Sequence, residues 1–147
     1  MARRAVVKIS VADVEYVAFR LAEELLSWNE PIPPFETRFP HKLESCLFTP
    51  FQTYNRKSLY PTIERKAAAL FYFMVKNHPF ENGNKRIAVT TLLVFLLRNN
   101  RWIRVGNQKL YDLAVNTAKS DPKDKDRIVN EVESFIRQGQ EVGGIDV

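Results

Sequence analysis

The chain has 147 residues, of which 45% are hydrophobic and 12% are aromatic. This length supports one well-buried core and is too short for two, so we predict a single domain over residues 1–147. The longest nearly unbroken apolar run, residues 87–97, is far shorter than the roughly 20 residues that a membrane-spanning helix needs. We therefore expect no membrane association.

Charge and cysteine content narrow the cellular setting. The only cysteine, Cys46, excludes an internal disulfide, and the basic first ten residues lack the apolar segment of a secretory signal. Both features favour a cytoplasmic location. The net charge of +5 suits nucleotides or acidic protein surfaces, but no nucleic-acid recognition motif is present. We expect no direct nucleic-acid partner.

The first elements are predicted from spacing and from proline positions. Ser10 precedes apolar residues at helical spacing, with Asp13 three positions after it, which predicts a helix over residues 11–28. A short second helix is predicted over residues 41–48. Residues 50–61 are aromatic and polar without helical periodicity, so we predict an exposed loop or short hairpin there.

Two strongly apolar helices follow. The first opens at Pro61 and Thr62 and ends near Asn77, and its alanines and aromatic residues indicate burial. The second covers residues 87–100 and is apolar on nearly every face, which predicts a place in the centre of the domain.

The C-terminal third contains two more predicted helices. Residues 101–105 are expected to form a short strand or an extended linker, and a helix opens at Asn107. The last helix is capped by Asp121 and runs to Gln138, which leaves residues 139–147 as a loose tail. Together these elements predict an all-α bundle of about six helices with one small hairpin.

Residues 78–86, HPFENGNKR, bring polar and charged side chains between the two most apolar helices. Gly83 allows a tight turn, so that Asn84, Lys85 and Arg86 occupy the first turn of the second helix, where free amide groups attract anions. Arg86 offers a planar fork for phosphate, Lys85 a point charge and Asn84 an amide donor. The loop therefore predicts a phosphate-binding site.

Two further residues of this loop have predicted roles. His78 lies ahead of the positive end of the helix dipole, which favours its neutral form and suits it to act as a general base. Phe80 is expected to anchor the loop in the core.

The loop sequence resembles the signature of the Fic/Doc family, HPFx(D/E)GN(G/K)R, and the likeness covers about residues 43–100. The resemblance implies an all-helical fold and transfer of AMP or phosphate from a nucleoside triphosphate such as ATP to a protein hydroxyl. It also implies that His78 deprotonates the target hydroxyl, that Asn84 and Arg86 bind the phosphates, and that the backbone of Gly83 cradles an anion.

The same resemblance assigns residues 50–61 as a flap that docks the target chain in extended form by edge pairing. Its expected contact residues are Phe51, Thr53, Tyr54 and Leu59. The implied partner is thus a protein substrate.

Two differences from AMP-transferring members favour the Doc branch, named after death on curing. Lys85 stands in place of a second glycine, and Val89 stands in place of a second arginine. The activity known for that branch is phosphorylation of a translation factor, so the resemblance favours phosphate transfer. AMP transfer (AMPylation) is the alternative.

A third difference concerns the metal. Asn82 occupies the position of the acidic residue that holds Mg²⁺ on the phosphates, and hard cations prefer a carboxylate. We expect weakened Mg²⁺ binding, with Glu81 as a substitute ligand or as an ordinary exposed carboxylate. Asn82 also keeps open a second alternative, a catalytically silent module that binds a nucleotide or a partner.

Self-restrained members of the family carry the pattern Ser/Thr-x-x-x-Glu-Gly/Asn. Here the only glutamate followed by Gly or Asn is Glu81. The position four residues before it holds Asn77 instead of Ser or Thr, so this restraint is absent. By resemblance to Doc, we expect a separate antitoxin protein that binds in trans, which makes this chain the toxin of a toxin–antitoxin pair.

Overall fold

The computed structural model describes residues 5–26 and 28–142. These residues form six helices and two small antiparallel sheets of two strands each, which confirms the predicted all-α bundle with a small hairpin. No helix within the described ranges is long and apolar enough to cross a bilayer.

The helices and strands have the following bounds. Helix α1 consists of Val11–Asp13, a π-helical segment Val14–Ala18, and Phe19–Leu25; it is followed by α2 Pro40–Phe48, α3 Ile63–Lys76, α4 Asn84–Arg98, α5 Asn107–Lys119 and α6 Lys125–Gly139. The strands are β1 Thr53–Tyr54, β2 Lys57–Ser58, β3 Arg101–Ile103 and β4 Gln140–Val142. Short 3₁₀ turns cover Phe35–Thr37, Thr49–Phe51 and Pro122–Asp124.

Helices α3 and α4 form the centre of the bundle. Helix α4 packs against α1, α3 and α5, and α3 also packs against α6. Phe71 of α3 and Leu92 and Phe95 of α4 have no exposed surface. Helix α4 therefore lies in the centre of the domain, as predicted from its apolar character on nearly every face, and its neighbours cover it from several sides.

Helix α1 begins where the sequence predicts and ends earlier. Ser10 and Asp13 form a capping box, in which Asp13 N donates to Ser10 Oγ at 3.1 Å and Ser10 N donates to Asp13 Oδ2 at 2.9 Å. The predicted end at residue 28 is wrong, because the backbone leaves the helical conformation at Leu26.

The π-helical segment of α1 faces α4. A π turn contains one residue more than an α turn and leaves part of the regular hydrogen-bond ladder unmade. Thr90 of α4 donates its hydroxyl to the carbonyl of Ala18 at 2.8 Å. The two helices are thus joined by a buried hydrogen bond at the irregular turn.

The predicted flap is a hairpin in which Thr53 pairs with Ser58 and Tyr54 pairs with Lys57. Asn55 and Arg56 between the strands both have positive φ, 51° and 64°, as a tight two-residue hairpin turn requires.

The buried Lys66 of α3 supports this hairpin from below. Its ammonium donates to Ser58 Oγ at 2.8 Å and to the carbonyl of Tyr60. Burial lowers the pKa of Lys66 below its usual value. The base of the flap is therefore held by the core helix.

The expectation of a loose tail from residue 139 is wrong for residues 139–142. Gly139 completes α6, and β4 pairs with β3 so that Trp102 lies opposite Glu141. The backbone groups of β4 find their hydrogen-bond partners in Arg101–Ile103. A segment of three residues is too short for its sequence pattern to reveal this pairing. Residues 143–147 lie outside the described residues.

We predict that Asp13 stabilises the fold in a pH-dependent way. Burial of its carboxyl opposes ionisation, but hydrogen bonds from Ser10 and the charge of Arg98, whose Nη1 lies 2.7 Å from Asp13 Oδ1, outweigh it and lower the pKa. A lowered pKa means that the stabilisation is complete above the unfolded value of about 3.9 and is lost as pH falls through the folded value.

Replacing Asp13→Asn should therefore reduce the free energy of unfolding by about 1 kcal/mol at pH 7. The difference from the unaltered chain should shrink below about pH 3.9. Urea denaturation across this pH range measures both. Glu23→Gln, on the exposed face of the same helix, serves as the control, and an equal pH-dependent loss there would contradict the assignment.

Candidate active site

The predicted loop lies between α3 and α4, with Gly83 as the N-cap of α4. Gly83 has φ of 74°, which favours glycine. A Cβ atom there would lie 2.9 Å from the carbonyl oxygen of Pro31 and 3.0 Å from Ile32 Cδ1. The glycine is thus needed both for the turn and for the close approach of residues 31 and 32.

Phe80 fixes the middle of the loop in the core. Its side chain is 1% exposed and packs against the rings of Phe19 and Phe35, with centroids 5.4 Å and 6.0 Å away. These contacts come from α1 and from the segment after it. The loop is therefore held from the side opposite to solvent.

Asn84 ties the loop to the start of α4. Its Oδ1 accepts a hydrogen bond from Phe80 N at 3.0 Å, and its Nδ2 donates to the carbonyl of Phe80 at 2.9 Å. The side chain is buried and both ends of the carboxamide are used. The structure thus gives Asn84 a loop-shaping role that the sequence did not predict.

His78 stands on the exposed side of the loop beside Asn84. Its Nδ1 lies 3.5 Å from Nδ2 of Asn84. Because the carboxamide of Asn84 is bonded to both backbone groups of Phe80, its position beside the imidazole is fixed. His78 also has a positive φ of 48°, a strained backbone conformation that recurs at functional sites.

Arg86 is buried, and its fork binds backbone carbonyls. Nη2 donates to the carbonyls of Ala22 and Leu26, each at 2.5 Å, and Nη1 donates to the carbonyl of Glu30 at 2.6 Å. These groups belong to the end of α1 and the segment after it. In this structure the fork therefore holds the end of α1 in place, and the phosphate contact of Arg86 stays a prediction.

The carboxylate of Glu30 occupies the N-terminal end of α4. Its Oε1 accepts a hydrogen bond from the backbone N of Arg86 at 3.3 Å, and its Oε2 lies 2.7 Å from Nζ of Lys85. The amide and ammonium groups that the sequence predicts for a phosphate thus hold an anion of the chain itself. Sequence analysis missed Glu30, because 56 positions separate it from Arg86 and no spacing rule connects the two.

The predicted metal ligands do not form a complete protein site. Glu81 and Asn82 are exposed, and Asn82 Oδ1 accepts a hydrogen bond from Gly83 N at 2.8 Å. Across the described residues, no group of three or more His, Cys, Asp or Glu side chains lies together in a way that would hold a metal ion. These residues fit a Mg²⁺ ion that arrives with nucleotide phosphates and needs one protein carboxylate.

The predicted flap contacts divide into two groups. Thr53, Tyr54 and Leu59 are exposed, with Tyr54 70% and Leu59 50% accessible. Phe51 is half-buried and packs edge-on against Phe95 at 5.7 Å. The first three are free to meet a partner, whereas Phe51 anchors the flap to α4.

Comparison with protein families decides the relationship. A family model described as Fic/DOC family matches residues 8–96, well over half of the chain. The chain belongs to the Fic/DOC family. No curated protein and no solved structure shows significant similarity to it.

Membership gives a general function. Fic/DOC proteins are typically protein-modifying transferases that use nucleoside triphosphate donors with Mg²⁺ and that act on protein substrates. The matched residues include α1, the flap, the signature loop and nearly all of α4. Helices α5 and α6 of this Fic/DOC chain lie beyond the matched part.

We predict that Arg86 contributes mainly to stability. Arg86→Lys removes the fork that binds three carbonyls and should lower the free energy of unfolding by about 2 kcal/mol, because buried carbonyls lose a charged donor. Urea denaturation measures the loss. Arg20→Lys, an exposed change of the same type on α1, should shift stability by less than about 0.5 kcal/mol. Unchanged stability in Arg86→Lys would show that the carbonyl contacts contribute little.

Proposed function

We propose that this chain transfers phosphate from a nucleoside triphosphate to a Ser, Thr or Tyr hydroxyl of a cytoplasmic target protein such as a translation factor, as the toxin of a toxin–antitoxin pair. The observation that carries the proposal is the presence, in one loop and the helix turn that follows it, of an exposed imidazole, His78, and an occupied anion site at Lys85 and Arg86 N. A base and an anion site close together are what hydroxyl phosphorylation needs.

The anion site supports phosphate binding because it already holds carboxylate oxygens. Glu30 receives one backbone N–H and one ammonium group, the same donors that a terminal phosphate would take. A donor nucleotide would displace this carboxylate, and residues 29–32 would have to move to make room for it. The phosphate contacts in this proposal are therefore Lys85 and the backbone of residues 83–86, with the Asn84 side chain holding the loop.

The proposed chemistry is an in-line displacement at phosphorus. The target hydroxyl oxygen forms a bond to the terminal phosphorus, the bond from phosphorus to the bridging oxygen breaks, and the nucleoside diphosphate leaves. The hydroxyl proton passes to the imidazole of His78, which is exposed at the loop. The imidazole of His78 is exposed, so a protein hydroxyl can reach it.

Magnesium, when bound with the nucleotide, would neutralise phosphate charge. Glu81 is the residue proposed to hold it, since its carboxylate is exposed at the loop. Asn82 contributes little, because its side-chain oxygen already accepts from Gly83 N.

The exposed strand edge of the flap supports a protein acceptor. Thr53 and Tyr54 of β1 expose their backbone groups and side chains to solvent, and Leu59, just after β2, is exposed as well. An extended segment of the target would pair with this edge. The antitoxin proposed as the second partner would restrain the enzyme in trans.

We predict that His78→Asn abolishes transfer. Asparagine tolerates the positive φ of this position, so the fold should keep its stability, whereas loss of the base should reduce transfer at least 100-fold. The purified chain is incubated with cell extract and with ATP labelled in either the γ- or the α-phosphate. The amount of label that is transferred to protein is then measured. The control is His41→Asn, which changes the other histidine of the chain, also exposed, and should remain active.

The position of the label decides between two chemistries. Protein labelled from γ-phosphate supports phosphate transfer, and protein labelled only from α-phosphate shows AMP transfer instead. Full activity in His78→Asn would contradict the role of the imidazole.

A silent binding module is the second candidate function. Two observations favour it: Asn82 replaces an acidic residue, and the Arg86 fork is committed to carbonyls. Under this function the native chain transfers nothing, and Asn82→Asp creates an activity that the native chain lacks. Under the first function the native chain is already active.

We predict that Glu30→Gln tightens the binding of inorganic tripolyphosphate. The change keeps the hydrogen-bonding shape but removes the competing negative charge, so affinity should rise about two- to fivefold. Isothermal titration calorimetry measures the change. Glu36→Gln, an exposed glutamate in the same connecting segment, should leave the affinity as it is. Weaker binding in Glu30→Gln would place the phosphate site elsewhere.

A further inference from the structure

The ammonium of Lys66, near the start of α3, is buried beneath the flap. The residue is 6% exposed, and its Nζ donates to Ser58 Oγ at 2.8 Å and to the carbonyl of Tyr60. Among the described residues no carboxylate forms an ion pair with it, and burial lowers its pKa. A charge taken out of water without an opposite charge costs folding free energy. A role in function would explain why this position holds a lysine.

The two acceptors of Lys66 lie where the flap returns to the core. Ser58 is the last residue of β2 and pairs with Thr53 of β1, and Tyr60 follows two residues later. Ser58 Oγ also donates to the carbonyl of Tyr60 at 3.3 Å, so the ammonium, the hydroxyl and the carbonyl form a closed set of three hydrogen bonds. A shift of β2 relative to α3 would break at least one of them.

The hairpin itself contributes little to the position of the flap. Its sheet contains two residue pairs, and an isolated two-stranded hairpin is marginally stable in water. Tyr54 and Leu59 are 70% and 50% exposed, so neither side chain fixes the hairpin to the core. The ring of Phe51 packs on α4 before the hairpin, and Lys66 and the buried ring of Tyr60 hold the chain after it. The flap is thus fixed at its two ends.

We propose that Lys66 is a positioning residue, which holds the flap where an extended segment of the target protein can pair with β1. The inference rests on the proposed function, because it concerns the acceptor of the same transfer reaction. Binding to a mobile edge costs the free energy of ordering that edge, whereas an edge that is already fixed avoids this cost. Lys66 should therefore raise the affinity for the protein acceptor and leave the affinity for the nucleotide unchanged.

Helix α3 connects the flap to the proposed general base. Lys66 lies near the start of this helix, and His78 directly follows its C-cap, Asn77. Lys66 and Lys76, the last residue of the helix, are ten positions apart, or about 15 Å along the axis. Because α3 lies in the centre of the bundle, the flap and the imidazole are attached to one rigid element. The ammonium thus helps to place the acceptor hydroxyl relative to His78, as a transfer reaction requires.

The test measures label transfer from ATP to the proteins of a cell extract at increasing extract concentrations. Lys66→Met removes both hydrogen bonds and should raise the extract concentration at half-maximal transfer about tenfold. The maximal transfer and the ATP affinity, measured by isothermal titration calorimetry, should stay within about twofold. Ser58→Ala removes one acceptor outside the core helix and should raise the half-maximal concentration about threefold. If Lys66→Met does not fold, Ser58→Ala decides.

Lys76→Met is the matched control. Lys76 lies on the same helix and also donates to two carbonyls, those of Ala118 and Ser120, but at the end away from the flap. This variant should leave the half-maximal extract concentration as it is in the native chain. Urea denaturation of every variant reports the stability of its fold.

The outcomes separate the inference from the proposed function. If the native chain transfers label, and Lys66→Met and Ser58→Ala have the native half-maximal concentration, Lys66 does not position the flap and the proposed function stands. If the maximal transfer or the ATP affinity falls instead, or if Lys76→Met gives the same change, Lys66 acts on the chemical step or on the whole fold and the inference is overturned. If the native chain labels no protein, the proposed function fails and the role of Lys66 toward the acceptor fails with it.

Discussion

The structure depends on one buried interaction, the contact of the Arg86 guanidinium with the carbonyls of Ala22, Leu26 and Glu30. The last carbonyls of a helix have no partner within the helix, and a cation is favoured there by the helix dipole. Arg86 belongs to the first turn of α4, so the same residue joins the start of one helix to the end of another. This contact sets the course of the chain around Glu30 and hence the anion site.

Two side chains that the sequence assigned to phosphate act first on the protein itself. Asn84 uses its carboxamide to fix Phe80, and Arg86 uses its fork to fix α1. The imidazole of His78 is exposed, whereas the ammonium of Lys85 and the backbone N of Arg86 hold the carboxylate of Glu30. A site of this kind is preorganised, because the residues that shape it are held by packing and by hydrogen bonds from residues distant in the chain.

The sequence was sufficient for most of the fold and for the location of the loop. Helical spacing, the cap at Ser10 and the unbroken apolar character of α4 are local signals, and local signals predict local structure. Glu30, the early end of α1 and the pairing of β4 with β3 depend on contacts between residues far apart in the chain. Such contacts leave no periodic trace, so they could not be predicted from one sequence.

The π turn of α1 has a consequence for this whole arrangement. An α-helix turns about 100° per residue, and a π turn carries one residue more than the regular helix. Deleting a single residue from Val14–Ala18 would rotate everything after it, including the carbonyls of Ala22 and Leu26, away from α4. The irregular turn therefore sets the rotation of the end of the first helix relative to the signature loop, and the hydroxyl of Thr90 binds the carbonyl of Ala18 where this turn ends.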